Sequence, residues 1–197
     1  MILEALVTTL NEDGSANVAP MGPRVEPDFR RFVLRPFKTA TTYENLMRHG
    51  EGVLHVTDDA LMIARAAIGL DPQAESRPAG LVRGRVLVGA CRYHEFRVVE
   101  IDAREDRASL SCESVASGVL REWFGFNRAK HAVIEAAILA TRVAIVPMED
   151  IADELRRLAS PVAKTGGPDE LAAFALLVEH VRRAAHSIGR TDLDFPS

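Results

Sequence analysis

Cysteine is scarce. Cys91 and Cys112 are the only two in a chain of 197 residues, and their spacing matches no metal-ligand pair or redox motif. A disulfide framework is excluded, and buried, reduced thiols in a cytoplasmic protein are expected instead. Long apolar runs are also missing, so no segment is expected to span a bilayer. The opening residues Met1-Ile2-Leu3-Glu4-Ala5-Leu6 lack the basic start and cleavage site of a secretory signal. The net charge is −4 and the arginines are scattered among acids, so no clustered basic face offers itself to a nucleic acid. The chain has no His-Glu-x-x-His, no complete P-loop and no dinucleotide fingerprint, and no metal is assigned. No repeat of fixed period and no low-complexity tract appears.

What is present suffices for a real core, because 47% of the residues are apolar. The length fits one domain with an elaboration, or two small ones. Leu3 to Leu10 is rich in β-formers, Asn11-Glu12-Asp13-Gly14 is a hairpin turn, and Ser15 to Pro20 is the returning strand. Pro20 cannot donate to a ladder, so that strand ends or reaches an edge there and leaves Met21-Gly22-Pro23 irregular. Phe32 to Leu34 reads as a third strand, and Thr42 to His49 as a helix closed by Gly50. Gly52 to Thr57 is a strand, and Asp58-Asp59 caps a helix through Leu61, Ala64, Ala67 and Ile68. Asp71 to Gly80 reads as a loop, Leu81 to Cys91 and Tyr93 to Ile101 as long strands, and Ala108 to Val115 as their continuation. Short strands with helices between them suit a barrel better than a sandwich, because closure removes exposed edges. Beyond Gly118 the pattern turns helical. One helix follows Asn127, one covers Met148 to Leu158, and a third starts at Pro168 and runs to Gly189. The expected division is a β domain over residues 1–118, a helical domain over 119–190 and a tail over 191–197.

The junction Lys38-Thr39-Ala40-Thr41-Thr42-Tyr43-Glu44-Asn45 carries the strongest chemical signal. It lies where a strand hands over to a helix, whose first N–H groups lack partners and whose dipole favours an anion. Hydroxyls and an ammonium beside such a start suit a phosphate. The plainer alternative is a capping box between Thr41 and Glu44, which stabilises any helix.

Two segments together resemble a known superfamily. Val7 to Met21, with its Asp13-Gly14 turn and Asn17-Val18-Ala19-Pro20, resembles the opening hairpin of flavin reductase-like proteins. Thr42 and Asn45 match their Thr-x-x-Asn helix start, and Glu51 to Val56 matches the strand after it. The match covers residues 3 to 68 and is topological from 81 to 115. Asn127-Arg128-Ala129-Lys130, Glu135-Ala136-Ala137-Ile138 and Lys164-Thr165-Gly166-Gly167 resemble an uncharacterised branch that adds a C-terminal helical domain. The fold implied is the FMN-binding split barrel, a Greek-key β-barrel that works as a homodimer. The function implied is an FMN-binding flavoprotein, in its most specific form a flavin-dependent oxidoreductase acting on a small molecule. Two alternatives stand beside it: a carrier or sensor without turnover, and a barrel-based interaction module tied to pterin-dependent one-carbon metabolism.

On this pattern Lys38, Thr39, Thr41 and Thr42, with Arg35 nearby, hold the FMN phosphate. Asn17, Val18, Ala19, Pro20 and Met21 offer backbone to the ring, and Asn45 completes the set. Each residue has a plain reading too. Asn17 to Pro20 can be a strand end, Arg35 a surface ion pair, and Asn45 a cross-link between loops. His55 reads as a barrel-facing residue, and His94 lies where a dimer-related flavin could approach. Arg128, Lys130, Arg142 and Lys164 either gather into a second anion site or pair with Glu135, Asp150 or Glu154.

Overall fold

The computed structural model describes residues 1–196; Ser197, the last residue of the expected tail, lies outside them. The chain divides into two compact units. One joins Met1–Asp58 to Ala74–Trp123, and the other joins Asp59–Gln73 to the chain from Phe124 onward.

The first unit is built on strands β1 (Ala5–Leu10), β2 (Ala16–Met21), β3 (Arg24–Val25), β4 (Arg31–Leu34), β5 (Glu51–Val56), β6 (Ser76–Pro78), β7 (Arg85–Leu87), β8 (Arg92–Asp102) and β9 (Ser109–Val119), with helix α1 (Thr41–His49) between β4 and β5. Seven strands form an antiparallel sheet in the order β2-β1-β5-β8-β9-β4-β3. The hairpin of β1 and β2 turns where expected: Asn11 N–H donates to the Ser15 carbonyl at 2.9 Å, and Gly14 takes the left-handed φ of 82° that such a turn needs. The sheet curls until its ends meet. Val25 N–H donates to the Met1 carbonyl at 2.9 Å and Leu3 N–H to the Pro23 carbonyl at 3.1 Å, and Ile2 bridges Arg24. The residues ahead of β1 thus pair with β3 at the far end of the sheet, which is barrel closure.

Alternation fills the barrel. Along β4, Phe32 and Leu34 are buried while Arg31 is exposed, and they join Val7, Leu54, Phe96 and Leu110 in one core. Gly52 marks a close approach, since a Cβ there would lie 2.8 Å from the Phe96 ring and 2.9 Å from the Thr8 carbonyl. Strand β2 runs through Pro20 to Met21, opposite Leu6 and Ala5. As the outermost strand of the sheet order it tolerates a residue that cannot donate.

The expected long strand from Leu81 to Cys91 is not formed. Only Arg85–Leu87 is extended there, and it pairs with Ser76–Pro78, inside the expected loop, as a separate two-stranded sheet. Barrel side chains hold this short strand in place. Leu87 N–H donates to His55 Nε2 at 3.0 Å, and Thr8 Oγ1 donates to the Arg85 carbonyl at 2.5 Å.

The second unit packs α2 (Ala60–Ala67), α3 (Arg128–Ala140), α4 (Met148–Thr165) and α5 (Pro168–Ser187) around a core rich in alanine. Ala64, Ala129, Ala136, Leu155, Leu177 and Val181 all lie in it, and the small residues let helices approach closely. The expected starts are observed. Asp59 Oδ1 accepts from Met62 N–H at 2.8 Å, Asn127 Oδ1 accepts from Ala129 and Lys130 N–H at 2.8 and 3.1 Å, and Pro168 opens α5. Helix α4 continues past Leu158 to Thr165 with Pro161 inside it. Its buried stripe Ile151, Leu155 and Val162 carries across the proline, and Thr165 Oγ1 donates to the Pro161 carbonyl at 2.8 Å. Among the described residues no helix is long and apolar enough to cross a membrane.

Candidate functional site

Strands β1 and β2 and helix α1 bring the two sequence-marked segments together. Asn17 on β2 donates from Nδ2 to Thr42 Oγ1 on α1 at 3.0 Å and to Thr9 Oγ1 on β1 at 3.2 Å. Asn45 on α1 donates from Nδ2 to the same Thr9 oxygen at 3.0 Å and to Asn11 Oδ1 at 2.9 Å. Asn45 Oδ1 accepts from the Arg48 guanidinium at 2.9 Å. Thr9, Thr42 and Asn45 are all buried. The network therefore ties the helix start to the hairpin by direct hydrogen bonds. Thr9, Asn11 and Arg48 were not marked from sequence. The signal that could have found Thr9 is Thr8-Thr9, two polar residues side by side in an otherwise apolar strand.

The helix start itself is open. Ala40 is the N-cap residue, extended at φ −88° and ψ 140°, and makes no side-chain cap. The capping box between Thr41 and Glu44 is not formed, because the helix begins at Thr41, one residue too early for Thr41 to be the cap. The Tyr43 and Glu44 amides donate to the Ala40 carbonyl at 2.9 and 3.2 Å. The amides of Thr41 and Thr42 have no acceptor among the described residues. Thr39 and Thr41 are exposed beside them, as is Lys38, which has no ion-pair partner among the described residues. Backbone donors, a hydroxyl and an ammonium at the positive end of a helix are the groups that suit an anion.

The loop bearing Lys38 is zipped to the turn between β8 and β9. Lys38 N–H donates to the Asp106 carbonyl at 3.0 Å and Ala108 N–H to the Pro36 carbonyl at 3.1 Å. The Arg107 guanidinium lies 4.1 Å over the Phe37 ring. Arg35 is already engaged: it pairs with Glu105 at 2.9 Å. Along β2, Asn17 through Met21 are half-buried, with β1 on one side only, so alternate backbone groups of this strand lack a partner strand.

The two buried histidines lie elsewhere in the barrel unit. His55 is fully buried, and burial pushes its pKa down to about 3 against a smaller contribution from the Leu6 backbone. Its Nε2 accepts from Leu87, so it is neutral in the fold. His94 stacks on Phe29 with ring centroids 4.8 Å apart, and burial, then Arg92, lowers its pKa. A groove of about 430 Å³ is lined by residues of β3, β4, β8 and β9, including Arg31, Val33, Val99 and Ser111, and contains none of the marked residues. In the helical unit, Lys130 pairs with Glu170 at 2.8 Å rather than with Glu135, Asp150 or Glu154. Burial opposes ionisation of Glu170, but Lys130 and the Gly167 amide outweigh it and hold the carboxyl below its ordinary pKa. No group of three or more His, Cys, Asp or Glu among the described residues could hold a metal ion.

The curled antiparallel sheet with a helix between β4 and β5 has the split-barrel fold, and this chain adds a C-terminal helical region to it. Solved structures share the fold, over most of the chain or over its barrel part. An FMN-bound protein from Methanosarcina mazei, MM1853, superposes with a TM-score of 0.78 at 24% identity, covering 91% of this chain and 94% of that one. The 2-nitrobenzoate 2-nitroreductase NbaA of Pseudomonas fluorescens gives 0.51 at 21% identity, over 58% of this chain and 63% of that one. An FMN-binding protein from Thermus thermophilus, with bound 1-cyclohex-2-enone, gives 0.51 at 15% identity, over 60% and 70%. Within this fold, the chain belongs to the DUF447 family, proteins of unknown function: its N-terminal domain model matches residues 3–121 and its C-terminal model residues 127–179. The M. mazei protein carries the same family model. Among proteins with curated descriptions, none matches.

Proposed function

We propose that this chain binds FMN through its barrel unit, Met1–Asp58 with Ala74–Trp123, with the phosphate at the start of α1. The observation that carries the reading is that Asn17 and Thr42, from the two segments singled out in sequence, are hydrogen-bonded beside an uncapped helix start with spare N–H donors. Lys38, Thr39, Thr41 and Thr42 fit a phosphate dianion: two amides, hydroxyls and one ammonium with no ion-pair partner among the described residues. Asn17 to Met21, on the outer strand, fit the hydrogen-bonding edge of the ring. Arg35 fits less well, because Glu105 already neutralises it. The FMN-bound M. mazei relative supports the same reading. Titration of purified protein with FMN and riboflavin tests it: micromolar or tighter FMN affinity, with riboflavin bound more weakly, is expected. No FMN binding would sink it.

FMN, once bound, supplies hydride or electron transfer; the protein's part is to hold and orient it. The more specific reading is a flavin-dependent oxidoreductase acting on a small molecule, which the nitroreductase neighbour favours. Reduction of the bound flavin by NADH or NADPH, with turnover on an added acceptor, separates it from a carrier or sensor. A ring held along β2, the outermost strand of the sheet order, would have a side open to water unless covered, so we also propose that a second copy of the chain covers it. Sedimentation of the FMN-loaded protein as a monomer would reject that arrangement. Two buried free thiols, Cys91 and Cys112, fit a cytoplasmic location.

A further inference from the structure

We infer that Asn17 is a positioning residue: it orders the Thr42 hydroxyl as a hydrogen-bond donor into the anion cradle, while Asn45 clamps the helix and offers nothing to the ligand. The inference rests on the FMN reading above. A threonine hydroxyl carries one proton and two lone pairs. Thr42 Oγ1 accepts the Asn17 amide at 3.0 Å, and its own proton has no acceptor among the described residues. Thr42 is 3% exposed, so bulk water reaches that proton poorly, and an unspent buried donor is costly. The Thr41 and Thr42 amides beside it are unspent as well. Three donors on two consecutive residues lack acceptors, and a phosphate monoester has oxygens for all of them.

Asn45 differs. Both Nδ2 protons are spent, on Thr9 and Asn11, and its Oδ1 is held by Arg48. It therefore acts on the cradle only through position, by fixing α1 to β1 and sharing the Thr9 oxygen with Asn17. Asn17 keeps an Oδ1 that accepts from no donor among the described residues. An acceptor repels phosphate oxygens, so the contribution of Asn17 to phosphate binding passes through Thr42.

A double-substitution cycle read with two ligands tests this. Asn17→Ala keeps the backbone offered to the ring and should lower the ratio of FMN to riboflavin affinity about tenfold, the scale of one charge-assisted hydrogen bond. In a Thr42→Val background, Asn17→Ala should cause no further loss of FMN affinity. Thr42→Ser keeps the hydroxyl and should restore the dependence on Asn17; Thr42→Ala repeats the cycle with a smaller side chain. The inference is overturned if Asn17→Ala weakens both ligands equally, or if its effect on FMN persists undiminished without the hydroxyl. An unaltered protein that binds riboflavin but shows no preference for FMN would overturn the phosphate site itself, a separate result from additivity in the cycle.

Discussion

The two compact units bury different chemistry. In the helical unit the interior is mostly alanine, leucine and valine, and the one buried charged residue among the described residues, Glu170, is answered by Lys130 and the Gly167 amide. The barrel unit buries Thr8, Thr9, Thr42, Asn45, His55, His94 and Glu95 as well as its apolar core. Some of these are fully answered. Glu95 takes the Gly80 and Leu81 amides at 2.8 and 2.6 Å. Others are left with something to spare: the Thr42 hydroxyl proton, the α1 amides and one ring nitrogen of each buried histidine. Buried polar groups cost free energy unless paired. An unspent buried hydroxyl proton beside an uncapped helix start is what the FMN reading uses, whereas the closed apolar core of the helical unit serves packing.

Four measurements press on this contrast. Leu177 is fully buried in the helical core, and Leu177→Ala should cost about 3 kcal/mol of stability by lost transfer energy and a cavity. It should leave the ratio of FMN to riboflavin affinity unchanged; a changed ratio would break the division of labour. Next is acid sensitivity in the barrel. His55 titrates at about 3 in the fold and near 6.5 when unfolded. Between those values only the unfolded chain takes up a proton, so stability falls as pH drops from 6.5 toward 3, by about 1.4 kcal/mol per pH unit. His55→Gln should lose this component. Urea unfolding at pH 7 and pH 5 should show wild type losing about 2 kcal/mol more than the variant, and equal losses would reject the assignment. Smaller again is Lys38→Ala. Removing one exposed ammonium should weaken FMN about fivefold, with riboflavin unaffected and the gap narrowing in high salt. Smallest is Arg35→Ala. Its guanidinium is already paired with Glu105 at the surface, so FMN affinity should shift by less than about threefold; a larger loss would show that Arg35 leaves Glu105 for the phosphate.

Much of the fold was legible in local pattern. The Asp13-Gly14 turn, the caps at Asp59 and Asn127 and the proline at the start of α5 are decided within a few residues, so the sequence shows them directly. The candidate site was legible as two separate stretches, which the structure joins by the hydrogen bond from Asn17 to Thr42. Two of the errors come from distant contacts and one from local helix phase. The stretch from Leu81 to Cys91 has strand composition, yet only Arg85–Leu87 is extended, because its acceptors and donors are met by the distant side chains of Thr8 and His55. Helix α4 outlasts its proline because the buried stripe through Val162 outweighs one lost hydrogen bond. The capping box failed by a single residue of helix phase.

By itself the sequence determined which segments are helices, most of the strands, where most of these start, and which short stretches have the chemistry for an anion. These follow from periodicity, capping and turn residues, all short-range effects. Only the tertiary structure decided that Ile2 and Val25 close the sheet, that Thr9 receives amides from both Asn17 and Asn45, and that Arg35 belongs to Glu105 while Lys38 stays open. Those outcomes depend on residues tens of positions apart competing for the same donors and acceptors, and such competition is settled only when the chain folds back on itself.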